Sequence, residues 1–153
     1  MKILLPIDGS DVSLEAVRVV IRLAKEGLSI RVVLANVQEA ATLYELVVAH
    51  DPAVIEQVSA AAGAHTLQAA EGLLLQAEIA YETEIGSGDP AHTIVDIVER
   101  YGCDMVVMGA SGMSALRGAL LGSVSNEVLH SAKVPVMIIK KNEASEENSD
   151  IEG

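Results

Sequence analysis

Residues 108–125 read MGASGMSALRGALLGSVS and hold four glycines and four serines but no lysine. Connections inside compact domains usually run about 2–6 residues, so a stretch of this length and composition suggests a loop that meets a ligand. Gly109 and Gly112 bracket a tight exit from an apolar run, where backbone without Cβ can lie close to a bound group. Gly122-Ser123-Val124-Ser125 then opens a helical stretch. The first N–H groups of a helix lack internal partners, and the helix dipole adds partial positive charge beside them. Ser123 and Ser125 supply hydroxyl donors. The chemistry this pattern favours is a phosphate cradle made of backbone donors. Arg117, the one base in the loop, is able to swing toward such an anion. Each residue also has a plainer use, because glycines make turns, serines cap helices and loop arginines are ordinarily solvated.

Other chemistries find less support. The loop contains no Gly-Lys-Ser/Thr, so it is not a Walker A sequence, and its glycines follow the wrong strand for a dinucleotide fingerprint. The cationic group of a fast phosphoryl-transfer enzyme is missing. No general base stands out, so any enzymatic role is expected to be limited to slow phosphoryl transfer, to water or to Ser123 or Ser125. His50, His65, His92 and His130 lack metal-ligand spacing. Cys103 is the sole cysteine, which excludes an intramolecular disulfide and suits inert packing in a reducing compartment.

The elements that must position the loop alternate in type. KILLPI (2–7) reads as a buried parallel strand ending at Asp8-Gly9-Ser10. VSLEAVRVVIRLAKEG places Val12, Ala16, Val19, Val20 and Leu23 at helical spacing, with Gly27 as a stop. IRVVLANV (30–37) is a second strand, and 38–50 is expected to be a mobile flap. Residues 52–78 predict a long alanine-rich helix, and AYETEI (80–85) a less buried strand. Asp89 and Pro90 suit the cap and first position of a helix running to Tyr101. DMVVM (104–108) is the fourth strand, SNEVLHSA a helix with Glu127 in its first turn, and VPVMII (134–139) the fifth strand.

This βαβαβαβαβ order predicts an α/β domain, a parallel sheet with helices on both faces. Ligands of such sheets bind at strand carboxyl ends where strand order reverses. Three places qualify: Pro6-Ile7-Asp8, Asn36-Val37 and Met108-Gly109. Asp8 is equally suited to capping the first helix.

The chain has 153 residues, half of them apolar, which suits one domain with a substantial core. Three tyrosines, no Phe, no Trp and a net charge of −12 argue against nucleic acid and against anionic membrane surfaces. The opening apolar run is too short for a signal peptide, and no stretch approaches the ~20 residues of a membrane span. A cytoplasmic protein is expected. The final KKNEASEENSDIEG carries five of the 22 acids, so 141–153 is expected to be a disordered acidic tail after a domain over 1–140.

Gly109, Gly112, Gly122 and Ser123 match Gly-x2-Gly-x9-Gly-Ser/Thr, and Pro6 and Asp8 match an early Pro-x-Asp. In these motifs, and over roughly residues 1–140, the chain resembles the ATP-binding branch of the universal stress protein family. The resemblance implies a five-stranded parallel sheet of order 3-2-1-4-5. It implies adenine held by the backbone of Val37 and ribose beside Asp8 and Gly109. Phosphates would be wrapped by Gly112, Gly122, Ser123, Val124 and Ser125, and Mg²⁺ carried by the nucleotide. Pro6, Ile7 and Met108 fall in the same strand ends. In that order 134–139 is an edge strand, and its apolar edge suits pairing with its twin in a homodimer, as is common in the family. The implied role is a nucleotide-dependent sensor of stress. Its alternatives are the slow enzyme above, or an interaction module that binds a protein partner without nucleotide.

Overall fold

The computed structural model describes residues 1–39, 51–111 and 121–141. The chain alternates β1 (Lys2–Pro6), α1 (Asp11–Lys25), β2 (Arg31–Gln38), α2 (Pro52–Gln76), β3 (Tyr81–Ser87), α3 (Pro90–Tyr101), β4 (Met105–Gly109), α4 (Ser123–Ser131) and β5 (Val136–Ile139). The strands form one parallel sheet of order β3-β2-β1-β4-β5, the expected order.

Side-chain alternation in the strands divides the core in two. Ile3, Leu5 and Ile7 pack with Val32, Leu34 and Val107 beneath α1 and α2, where Ala16, Val17, Val20, Leu67 and Leu74 close the layer. Leu4, Val33, Ala35, Val106 and Met108 face the other way, onto Ile94, Ile97 and Val98 of α3 and Val128 of α4. Helices therefore cover both faces, as parallel pairing requires.

The helix boundaries have local causes. Asp89 accepts from the His92 N–H at 3.0 Å and Pro90 begins α3, as the sequence suggests. Asp51 caps α2 with Pro52 in its first turn. Gly27 follows α1 at φ +112°, a conformation that favours glycine. Two expectations need correction. The buried face of α1 is Val12, Ser13, Ala16, Val17 and Val20, while Val19 and Leu23 lie at its flank. Ser13 is tolerated inside because its hydroxyl donates to the Ser10 carbonyl at 2.8 Å. And α4 starts at Ser123, so Glu127 lies past the first turn and leaves that turn without an acid.

The two edges of the sheet differ. β3 carries Glu82 and Glu84, and Glu84 is held by the Tyr101 hydroxyl at 2.7 Å and Arg100 at 2.9 Å. β5 is VMII, with Met137 exposed. Among the described residues no helix is long and apolar enough to cross a membrane. The expected flap lies, but for residues 38 and 39, outside the described residues, as do Gly112, Arg117 and the tail beyond Lys141.

Candidate functional site

The sheet splits at the carboxyl end of β1. On one side β1 pairs with β2 up to Pro6 and Ala35, and the Ile7 N–H adds a bond to the Ala35 carbonyl at 2.8 Å. On the other side its pairing with β4 stops at Leu4 and Val106. Pro6 has no N–H to continue that ladder. β4 instead stays with β5, where the Ala110 N–H donates to Ile139 at 2.8 Å. A crevice opens between β1 and β4, the point at which strand order reverses.

Val37 borders it on the β2 side. The backbone of β2 alternates in direction: Arg31 and Ala35 bond toward β1, Val32 and Gln38 toward β3. Val37 therefore turns its N–H and C=O toward β1, which has already left the sheet. A regular parallel ladder would have the Val37 N–H donate to the Ile7 carbonyl. That carbonyl accepts instead from the side chain of Asn36, at 2.8 Å. Among the described residues neither backbone group of Val37 has a partner on that side, while its side chain packs on the α3 face.

Asp8 is exposed at the mouth of the crevice and accepts from the N–H and the hydroxyl of Ser10, at 2.9 and 2.5 Å. Ser10, not Asp8, caps α1, through the Ser13 N–H at 3.3 Å. Asp8 holds the cap and leaves its second oxygen free among the described residues. Pro6 is half-buried, whereas Ile7 and Met108 are packed into opposite core layers.

On the far wall the Ala110 carbonyl accepts twice, from the Gly122 N–H at 2.7 Å and the Ser125 hydroxyl at 2.6 Å. These bonds tie the exit of β4 to the start of α4. They also correct the reading of two donors: the Gly122 amide and the buried Ser125 hydroxyl serve the fold. Three donors remain. No acceptor among the described residues meets the N–H of Ser123, Val124 or Ser125, and Gly122 at the cap offers no side chain. α1, α2 and α3 each have a side-chain cap, so α4 is the uncapped one among the described helices. The Ser123 side chain is exposed at this end.

Gly109 has a cause within the fold as well. A Cβ there would stand 2.7 Å from Val12 Cγ1, so its absence admits the first turn of α1. At Gly122 a Cβ would lie 3.3 Å from the Ser111 Cα and 3.5 Å from the Ala110 oxygen, against protein backbone. Asn36, which the sequence marks only as part of a strand end, has a side-chain role that sequence reasoning does not assign, and it is only 4% exposed. Its one signal is a polar side chain that interrupts the apolar run VVLANV of β2.

Elsewhere, burial pushes the Cys103 thiol above its ordinary range, with Lys2 opposing and Asp104 and Glu82 adding to it. Such a thiol is a packing group. Among the described residues no three His, Cys, Asp or Glu side chains converge.

Known proteins share this fold. The family model described as "Universal stress protein family" matches residues 1–140. Universal stress protein MJ0531 of Methanocaldococcus jannaschii is 34% identical over 140 residues, covering 92% of this chain and 82% of its own length. The solved structure of the hypothetical protein MJ0577 superposes with a TM-score of 0.75 at 26% identity, covering 93% of this chain and 96% of that one. A universal stress protein family protein of Arabidopsis thaliana, solved with AMP bound, superposes with a TM-score of 0.68 at 21% identity, covering 95% and 94%. With a split sheet end, a glycine-spaced loop and a family match along nearly its whole length, this chain belongs to the universal stress protein family.

Proposed function

We propose that the chain binds an adenine nucleotide, ATP accompanied by Mg²⁺, and acts as a nucleotide-dependent regulator in a stress response. The observation that carries this reading is the Val37 edge, a backbone donor and acceptor left side by side without partners among the described residues, beside the switch point of the sheet. Adenine presents the complement, an N6–H donor beside the N1 acceptor. Across the crevice, the three open amides of Ser123, Val124 and Ser125 suit a polyphosphate. Asp8 and Gly109 would lie by the ribose, with Gly112 and Arg117 completing the phosphate side. Mg²⁺ would be held by phosphate oxygens and water, which is its usual preference. The AMP-bound relative shares the fold at 21% identity, so its ligand is an analogy and the geometry bears the weight.

Calorimetry of the full chain with Mg-ATP tests this. Saturable binding at or below millimolar nucleotide is expected, and native mass spectrometry of the purified protein should retain some of it. No heat at millimolar ATP would reject the reading. Autophosphorylation is disfavoured at Ser125, whose buried hydroxyl already donates to the Ala110 carbonyl.

The apolar edge of β5, opposite the acidic edge at β3, favours pairing of two chains through β5. Sedimentation should give a dimer, and Met137→Lys should shift it to monomer. A wild-type monomer at high micromolar concentration would refute that part.

A further inference from the structure

We propose that Asn36 is a positioning residue whose side-chain amide keeps the β2 edge open for the base; this rests on the nucleotide reading above. The Ile7 N–H already donates to Ala35 at 2.8 Å, so the ladder between β1 and β2 is one bond short of closing over Val37. The missing bond is Val37 N–H to Ile7 C=O. Asn36 Nδ2 donates to that carbonyl at 2.8 Å, and among the described residues no backbone donor joins it. A side-chain donor has replaced a backbone donor, and the backbone donor is released into the crevice.

The amide cannot reverse. The Ile7 carbonyl only accepts, so the NH₂ end of Asn36 must face it. The oxygen end then faces Gln38, whose Nε2 donates to Asn36 Oδ1 at 2.5 Å. Gly63 of α2 makes the room, because a Cβ there would lie 3.0 Å from Asn36 Oδ1 and 2.6 Å from Ile85 Cγ2. Asn36 is thus held by Ile7 and Gln38, in space that Gly63 leaves open, and no polar atom of its side chain is left without a partner. A buried asparagine kept only for the fold would be replaceable by an apolar residue together with closure of the ladder. Here that closure would consume the donor expected to meet adenine N1.

Amide hydrogen exchange on the full chain without nucleotide tests the placement by itself. In the wild type the Val37 N–H should exchange about 100-fold or more faster than the laddered amide of Ala35. In Asn36→Ala the Ile7 carbonyl becomes available, and the Val37 amide should slow by about tenfold or more. Titration then tests the consequence. Asn36→Ala should weaken ATP binding by about tenfold or more, while inorganic tripolyphosphate, which lacks a base, should bind both proteins alike within about threefold. A protected Val37 amide in the nucleotide-free wild type overturns the proposal even if Asn36→Ala fails to fold. Equal ATP affinity in the folded variant overturns it as well. If the wild type ignores ATP while the exchange pattern holds, the nucleotide reading falls and the open edge stands.

Discussion

α1 and α4 begin in equivalent places, each just past the carboxyl end of a central strand, and their first turns are treated in opposite ways. At α1 the cap is doubled. Ser10 takes the Ser13 N–H, and Asp8 takes both the N–H and the hydroxyl of Ser10. At α4 the cap is Gly122, which has no side chain to offer, and the Ser125 hydroxyl donates to the Ala110 and Gly122 carbonyls. Leaving out a side-chain cap costs a helix about 0.5–2 kcal/mol relative to Ser, Thr, Asp or Asn, though glycine itself forfeits only part of that. The comparison teaches where the fold has given up local stability. One rim of the crevice is closed and carries an exposed carboxylate; the other carries amides that meet no acceptor among the described residues.

The largest effect should come from closing the open rim with charge. In Ser123→Asp a carboxylate at the first helical position favours the helix dipole by about 0.3–1 kcal/mol. The same charge repels a phosphate, and Mg-ATP affinity should fall by about 100-fold in calorimetry. A stable variant that binds ATP like the wild type would remove the contrast between the rims. Next is the contact that joins them. Gly109→Ala should lower stability by about 1–3 kcal/mol in urea unfolding, because the new Cβ meets Val12. Val12→Ala in the same chain should recover much of that loss. If Gly109→Ala is instead fully stable and only nucleotide binding is lost, the glycine serves the ligand and not the helix. The smallest effect sharpens the comparison from the closed side: Ser10→Ala should cost about 1 kcal/mol of stability with ATP affinity unchanged. A large loss of affinity there would show that the closed rim also holds nucleotide.

Much of this was readable along the chain. Asp89-Pro90 marks a helix start because capping depends on residues only a few positions apart, and the α3 span agrees to its last residue. The apolar runs mark strands because burial on both faces demands it. The inner face of α1 was less readable. VRVVIRL offers apolar side chains at five of seven positions, and only docking on the sheet selects Val17 and Val20 over Val19. Gly109 stands out in the sequence but its neighbour does not, since Val12 lies far away along the chain.

The sequence by itself determined the alternation of strands and helices, their approximate ends, the glycine spacing and the kinship that spacing signals. These are matters of local propensity and periodicity. Tertiary structure alone decided which polar groups are left over. The Gly122 amide and the Ser125 hydroxyl read as donors to a ligand and serve the Ala110 carbonyl, whereas Asn36, read only as part of a strand end, donates its side-chain amide to the Ile7 carbonyl beside Val37. A hydrogen-bond group is free only when every acceptor within reach is occupied or absent, and those acceptors lie on strands and helices distant in the chain.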